Sequence, residues 1–338
     1  MATTLKDIAA ACGVSIGTVE RALKGKGRIN PEVAEKVRKV AKEMHYRPNI
    51  VAKGLVNRSR KYKIAVVLHI QGNDFYDTVM AGVRSAANEI LDYGIETQIY
   101  PCPDFDAEAQ VALIDQALAD GASALAIVPI DAPAVIARVA RLHESGFPVV
   151  FLTAFLPEPT CLCSIHCDYY RSGRIGASLL QYLAGPGSRV LACMPSYRML
   201  GNHLRKDGVL DFIRNPECPM ELVNLVELTN NTEKDAELIS QQVRLHPEID
   251  SLIYCGNAKS AQLVLQDRTQ IKHAVFYDLS PEIRDLLLNG SIDAAITQSP
   301  EEQGHRAIMV LFQYITGHTV PPEVVLFDSH IKLKESID

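Results

Sequence analysis

LKDIAAACGVSIGTVERAL, residues 5–23, holds two short helices and the turn between them. The first helix is expected from about Leu5 to Cys12, with Thr4 as its cap and Asp7, three positions on, completing a capping box. Gly13 breaks it, because a left-handed backbone is cheap only for glycine. Val14 turns inward and Ser15 caps a second helix. Ile8, Ala9, Val14, Val19 and Leu23 form one apolar seam, and the small Ala9 and Ala10 let the helices approach closely. Ile16, Gly17, Glu20 and Arg21 are left facing outward at the start and middle of the second helix. In a helical hairpin that enters a DNA major groove, these are the positions that meet base edges.

This stretch resembles the opening of the lactose-repressor family of bacterial regulators, which reads like TLKDIAxxxGVSxxTVSRxL. The match runs through Thr4-Leu5-Lys6-Asp7-Ile8-Ala9, Gly13-Val14-Ser15, Thr18-Val19, Arg21 and Leu23. The resemblance implies a helix-turn-helix head over residues 1–48 that contacts double-stranded operator DNA through Ser15, Ile16, Gly17, Thr18, Glu20 and Arg21. Arg21 suits the O6 and N7 of guanine, and Ile16 suits a thymine methyl. Two residues depart from the family. Glu20 replaces a serine; it either accepts a hydrogen bond from cytosine N4 or turns away from the groove. Gly17 has no side chain to read a base and costs the helix about 1 kcal/mol relative to alanine.

Asn30-Pro31-Glu32 reads as a cap, a first-turn proline and a first-turn acid. The helix that follows places Val33, Val37, Val40 and Ala41 on one face, while Lys36, Lys39 and Lys42 lie elsewhere, as solvated surface or as phosphate contacts. Lys26 and Arg28, in a glycine-rich loop, are phosphate-contact candidates. Residues 49–62 resemble the family's hinge, YxPNxxAxxL. That resemblance assigns Asn49 to the DNA interface, Ala52 to a dimer contact and Leu55 to a wedge in the minor groove, a device that bends a duplex.

Charge divides at the same place. Residues 1–63 hold 15 Lys and Arg against 5 Asp and Glu, a net +10. The remainder hold 19 against 35, a net −16. A basic head on an acidic body fits contact with a polyanion at one end only. Hydrophobic content of 47% supports a large core. No apolar run reaches the roughly 20 residues that span a bilayer. The start lacks the basic-then-apolar order of a secretory signal, so a cytoplasmic chain with eight reduced cysteines is expected.

From Lys63 onward, short apolar runs alternate with amphipathic stretches, the pattern of parallel sheet covered by helices on both faces. Strands are expected at 64–68, 95–100, 124–128 and 149–152. After Pro157 and Pro159 the pattern restarts, with strands at 162–167, 188–193, 221–226, 251–255, 273–276 and 292–296. A last segment, 323–333, crosses back. The expected division is a first lobe over about 63–160 plus that late segment, and a second lobe over about 161–322, the whole of 63–338 binding an effector and dimerising. This resembles the two-lobed, periplasmic-binding-protein-like effector domain of the same regulators. The expected fold is therefore an all-α helix-turn-helix head joined by a hinge to an α/β domain of two parallel sheets.

Open parallel sheets bind ligands at the carboxyl ends of their strands. The residues there are Asn73, Phe75 and Tyr76 after the first strand, then Thr153, Asn257, Asp278 and Gln298. Asn73, Phe75, Asn257, Asp278 and Gln298 match sugar-holding positions in the sugar-binding relatives, and Arg205, preferred to Arg198, matches a pocket arginine. Asp131 and Asp168 are read as helix caps. Those relatives often carry Asp-Arg where this chain has Thr153-Ala154, which leaves sugar derivatives, polyols and other metabolites open beside a simple sugar. The expected partners are operator DNA, a small effector and a second copy of the chain, with a tetramer open and no membrane contact.

Other functions have less support. The stretch Cys161-Leu-Cys163-Ser-Ile-His166-Cys167 suggests a metal- or redox-sensing regulator, but strand alternation would put the cysteines on one face and His166 on the other. No GxxxxGK[ST] loop, GxSxG elbow or HExxH helix is present, so neither an enzyme nor a cofactor is expected.

Overall fold

A computed structural model describes residues 5–24, 29–44, 62–69, 74–103, 106–157, 161–197, 199–229, 231–266, 270–317 and 319–337. Lys26, Arg28, Asn49, Ala52, Leu55, Asn73 and Arg198 lie outside the described residues.

The head comprises α1 (Leu5–Cys12), α2 (Ile16–Lys24) and α3 (Pro31–Glu43). Gly13 takes φ +68°. Its N–H donates to Ala10 O, and the Val14 N–H donates to Ala9 O, the paired bonds that close a helix on a left-handed glycine. Asn30 caps α3 by accepting from the Glu32 N–H, with Pro31 in the first turn. Ile8, Val19, Ala22 and Val37 are fully enclosed, and Val14 and Leu23 pack on them half-buried. Lys36 Nζ donates to Cys12 O and Arg38 Nε to Ala22 O, both at 3.2 Å. Two α3 cations thus serve carbonyls at or near the ends of α1 and α2.

The body contains two six-stranded sheets. The first has the order β11-β5-β4-β3-β1-β2, from β1 (Lys63–His69), β2 (Glu96–Cys102), β3 (Ala124–Ile127), β4 (Val149–Leu152), β5 (Cys163–Cys167) and β11 (Val324–Phe327). The second has the order β12-β10-β9-β8-β6-β7, from β6 (Arg189–Met194), β7 (Glu221–Glu227), β8 (Ser251–Tyr254), β9 (His273–Tyr277), β10 (Ala294–Thr297) and β12 (His330–Lys332). All pairs are parallel except β10 with β12. Both sheets follow the same winding, reversing direction beside their first strand, where ligand crevices form in open sheets.

Helices cover both faces. In the first lobe these are α4 (Asp74–Leu91), α5 (Ala107–Ala119), α6 (Pro133–Glu144) and α12 (Pro300–Ile315). In the second they are α7 (Tyr169–Ala184), α8 (Leu200–Ile213), α9 (Thr232–Leu245), α10 (Ala258–Gln266) and α11 (Pro281–Leu288). One helix pair in each lobe crosses backbone to backbone. A Cβ on Gly82 of α4 would lie 1.8 Å from Glu301 O, and one on Gly304 of α12 would lie 2.1 Å from Val79 O. In the second lobe, a Cβ on Gly173 of α7 would lie 2.1 Å from Arg205 O and one on Gly208 of α8 2.0 Å from Tyr170 O.

The sheet pairing corrects the expected lobe boundary. The strand at 163–167 belongs to the first sheet, between β4 and β11, not to the second lobe. The prolines before it interrupt a loop inside the first lobe. α12 also returns to the first lobe, packing on the core of Ile64, Val79 and Val83. The backbone therefore crosses between sheets three times: after β5, after β10 and between β11 and β12.

The cysteines are also placed differently from expectation. Cys163 enters the core beneath α4, whereas Cys161 precedes β5 and packs against the core on the opposite face of the sheet. Burial pushes the Cys161 thiol up to about 12 and that of Cys163 up to about 11. A protonated, enclosed thiol is a poor nucleophile and a poor metal ligand. Among the described residues no group of three or more His, Cys, Asp or Glu could hold a metal ion.

Candidate functional site

Between the two sheets lies a cavity of about 230 Å³ at the carboxyl ends of the strands. Phe75 and Tyr76 lie in the first turn of α4, the helix that comes after β1, and stand edge to face at 5.3 Å. Thr153 follows β4, Asn257 follows β8, Asp278 follows β9 and Gln298 follows β10. Seven of the eight effector candidates (Phe75, Tyr76, Thr153, Arg205, Asn257, Asp278 and Gln298) line this one cavity. The eighth is Asn73. Asp168 caps α7 by accepting from the Arg171 N–H at 2.9 Å, as expected. The cap of α6 is Ala132, not Asp131.

Arg205 organises the polar part. It reaches from α8 and is 3% exposed. Its guanidinium lies over two rings, Tyr277 at 4.6 Å and Tyr169 at 5.0 Å. Nη1 donates to Cys255 Sγ at 3.1 Å and Nη2 to Gln298 Oε1 at 3.4 Å. Gln298 Oε1 also accepts from the Cys167 thiol at 2.8 Å, while its Nε2 donates to Asp278 Oδ1 at 3.1 Å. Gln303 Nε2 holds the Gln298 carbonyl at 2.6 Å. Gln298 is thus fixed at both ends and links the cation to the carboxylate.

Electrostatics follow from this packing. Burial raises the Asp278 carboxyl, and the nearby Arg205 charge and the Gln298 hydrogen bond partly offset it. Burial presses Arg205 toward neutrality, but its neighbours, Cys255 and Cys167 first and then Asp278, shift it upward on balance. The group therefore stays cationic, held by two aromatic faces and a carboxylate.

Backbone strain collects here. Thr153, Asp278 and Ser299 are the non-glycine residues with left-handed φ among those described, at +54°, +67° and +53°. Two line the cavity and the third follows Gln298 at a crossing between lobes. Such conformations persist where surrounding structure enforces them, often at ligand sites. Asp278 is held by its N–H donating to Ile296 O, and Thr153 by its N–H donating to Ile165 O. Tyr169, on the second lobe, donates its hydroxyl to the Thr153 carbonyl on the first.

Several lining residues were not anticipated: Tyr169, Met199, Asp235 and Cys255. The Asn257 side chain accepts from the Lys259 N–H at 2.8 Å at the start of α10.

In the head, Ser15, Ile16, Gly17 and Arg21 are exposed on the first turns of α2, with Thr18 and Glu20 half-buried. Ser15 Oγ accepts from the Thr18 N–H at 3.1 Å. Arg21 folds along its own helix, Nε donating to Gly17 O at 3.1 Å and Nη2 to Thr18 Oγ1 at 3.4 Å.

Two family models match this chain. Residues 4–49 match the bacterial regulatory proteins of the lacI family, and residues 64–319 match a periplasmic binding protein domain. The chain carries a lacI-family regulatory domain ahead of a body that belongs to the periplasmic binding protein domain family. This lacI-type chain is 41% identical over 95 residues to the HTH-type transcriptional regulator RegA of Clostridium saccharobutylicum, a match spanning 28% of either protein. It is 23% identical over 348 residues to the catabolite control protein A of Priestia megaterium, covering 99% of both. Its fold is that of GanP, a glucose-galactose binding protein from Geobacillus stearothermophilus, at 20% identity and a TM-score of 0.70 over 82% of this chain and 98% of that one. A solute binding protein from Bacillus halodurans with bound myo-inositol gives a TM-score of 0.72 at 15% identity, over 81% and 95%. The lacI family is one of transcription regulators, not of enzymes. No helix among the described residues is long and apolar enough to cross a membrane.

Proposed function

We propose that this chain is a transcription repressor that binds operator DNA as a homodimer and is controlled by a small polyhydroxylated metabolite held between its two lobes. The observation that carries this reading is the Arg205–Gln298–Asp278 cluster, buried in a cavity whose walls belong to both sheets. A hydroxyl both donates and accepts, so an acceptor carboxylate and an amide held by fixed neighbours suit a sugar or polyol. Phe75 offers a ring for its C–H surface. The cavity is smaller than the ~300–1,000 Å³ typical of drug-sized ligands, which points to a single small ring.

A ligand touching Thr153 and Phe75 on one lobe and Asp278 on the other favours closure. Three backbone crossings join the lobes, so closure takes the form of a hinge rotation about them that re-spaces two heads in a dimer. Linkage requires operator and effector to change each other's affinity by the same factor.

The test uses the full chain and a duplex selected by it from random sequence. Metabolites are screened by thermal shift, since a ligand bound only by the folded state raises the melting temperature. The double variant Asn257→Ala/Asp278→Ala should lose that shift and the ligand effect on DNA binding, while its ligand-free DNA affinity stays unchanged. A response that survives both substitutions places the effector elsewhere.

The head is tested separately. Arg21→Ala should cost about 1–3 kcal/mol of discrimination at one base pair without altering the fold, as binding to a panel of single-base operator variants would register. An unchanged preference removes Arg21 from base reading.

A further inference from the structure

We infer that the effector carries a protonated amine, received by Asp235. This rests on the cavity being the effector site.

Asp235 lies in the first turn of α9 and is fully enclosed. It lines the cavity together with Leu228 and Asn257. Its two oxygens are used differently. Oδ1 accepts from both the Thr229 N–H and the Thr229 hydroxyl, each at 2.7 Å, and so ties the turn between β7 and α9. Oδ2 is buried with no hydrogen-bond partner from the described residues. Asp278, the other carboxylate lining the cavity, accepts from Gln298 and has a counter-charge in Arg205, which Asp235 lacks.

Counting charge sharpens the contrast. Among the described lining residues Arg205 is the single cation, facing two carboxylates. The groups that answer that cation are Cys255, Cys167, Gln298 and Asp278, and none of the described lining cations pairs with Asp235. The Thr229 bonds do not require a carboxylate, because an asparagine carbonyl would accept from Thr229 equally well. A buried carboxylate without a paired charge is expensive and is retained only where something answers it. The start of α9 favours a negative charge there. A ligand hydroxyl would supply the missing hydrogen bond but not the charge. An ammonium group supplies both, in the stronger, charge-assisted form. With hydroxyl partners at Asp278 and Gln298, the ligand class is an amine-bearing polyol of the amino-sugar type.

The experiment compares glucosamine, galactosamine and mannosamine with their parent hexoses and N-acetyl derivatives by thermal shift and titration calorimetry on the full chain. At least one hexosamine should bind tenfold or more tightly than both its parent hexose and its N-acetyl form. Asp235→Asn, which keeps the Thr229 bonds, should weaken that hexosamine at least tenfold and leave the parent hexose unchanged. Should Asp235→Asn not fold, the N-acetyl comparison on the native protein still decides. Equal binding of parent and amine, an amine preference that persists in Asp235→Asn, or silence from all three hexosamines overturns the inference. A neutral sugar whose binding requires Asp278 would sink the amine while keeping the cavity as the effector site.

Discussion

Arg205→Met should lower stability by about 3–5 kcal/mol and abolish effector binding. The expectation comes from what the substitution leaves behind. Arg205 is enclosed between two tyrosine rings, and Asp278 has it as its nearby counter-charge. Methionine fills part of the space but leaves the Asp278 carboxylate without its nearby cation and takes from the Gln298 oxygen one of its two donors. For a body of this size the loss corresponds to a fall in melting temperature of roughly 10 °C. The double variant Arg205→Met/Asp278→Asn discriminates between causes. Removing the stranded charge should restore part of the stability while binding remains lost. If the double variant is no more stable than the single one, the cost lies in packing and not in charge.

The second large effect is expected from Gly173→Ala. Its new methyl would lie 2.1 Å from the Arg205 carbonyl oxygen and 3.0 Å from the Val209 nitrogen, both backbone atoms that no rotamer change can move. α7 and α8 must separate, at a cost near or above the upper end of the 1–3 kcal/mol seen for overpacked cores. Displacing α8 carries Arg205 away from Gln298, so effector affinity should fall with stability. Val139→Ala is the control. It empties part of the first lobe's core beneath α6, a helix with no residue lining the cavity. Urea unfolding should show comparable destabilisation for both variants, with effector affinity at sub-denaturing conditions lost more severely in Gly173→Ala. Wild-type affinity in Gly173→Ala would mean that the helix contact does not position the guanidinium.

Much of this was legible in the linear sequence for local reasons. The α1–α2 turn follows from Gly13 and Ser15 alone, and the strands from short apolar runs between amphipathic helices. Residues just after a strand could be nominated for the cavity because strand ends determine where they point. Pairing across distance could not be read this way. β5 looks like the start of a second lobe because prolines precede it, and only its neighbours β4 and β11 show otherwise. The clamp on Arg205 draws Tyr169, Cys255, Tyr277 and Gln298 from four separate elements, and no spacing rule connects them. Asp235 carries no motif, since an acid in a first helical turn is commonplace; its burial and its idle oxygen appear only in three dimensions.

The interleaving of the lobes has a consequence for the order of assembly at the ribosome. The helix that covers the first sheet, α12, and the strand that borders it, β11, are translated after every β–α unit of the second lobe. The earlier-made half must therefore wait, with the apolar flank of β5 and the glycine face of α4 uncovered, until its sibling has emerged. The nascent chain spends that interval with a sticky sheet margin, and this is the stage at which a chaperone would find most to hold.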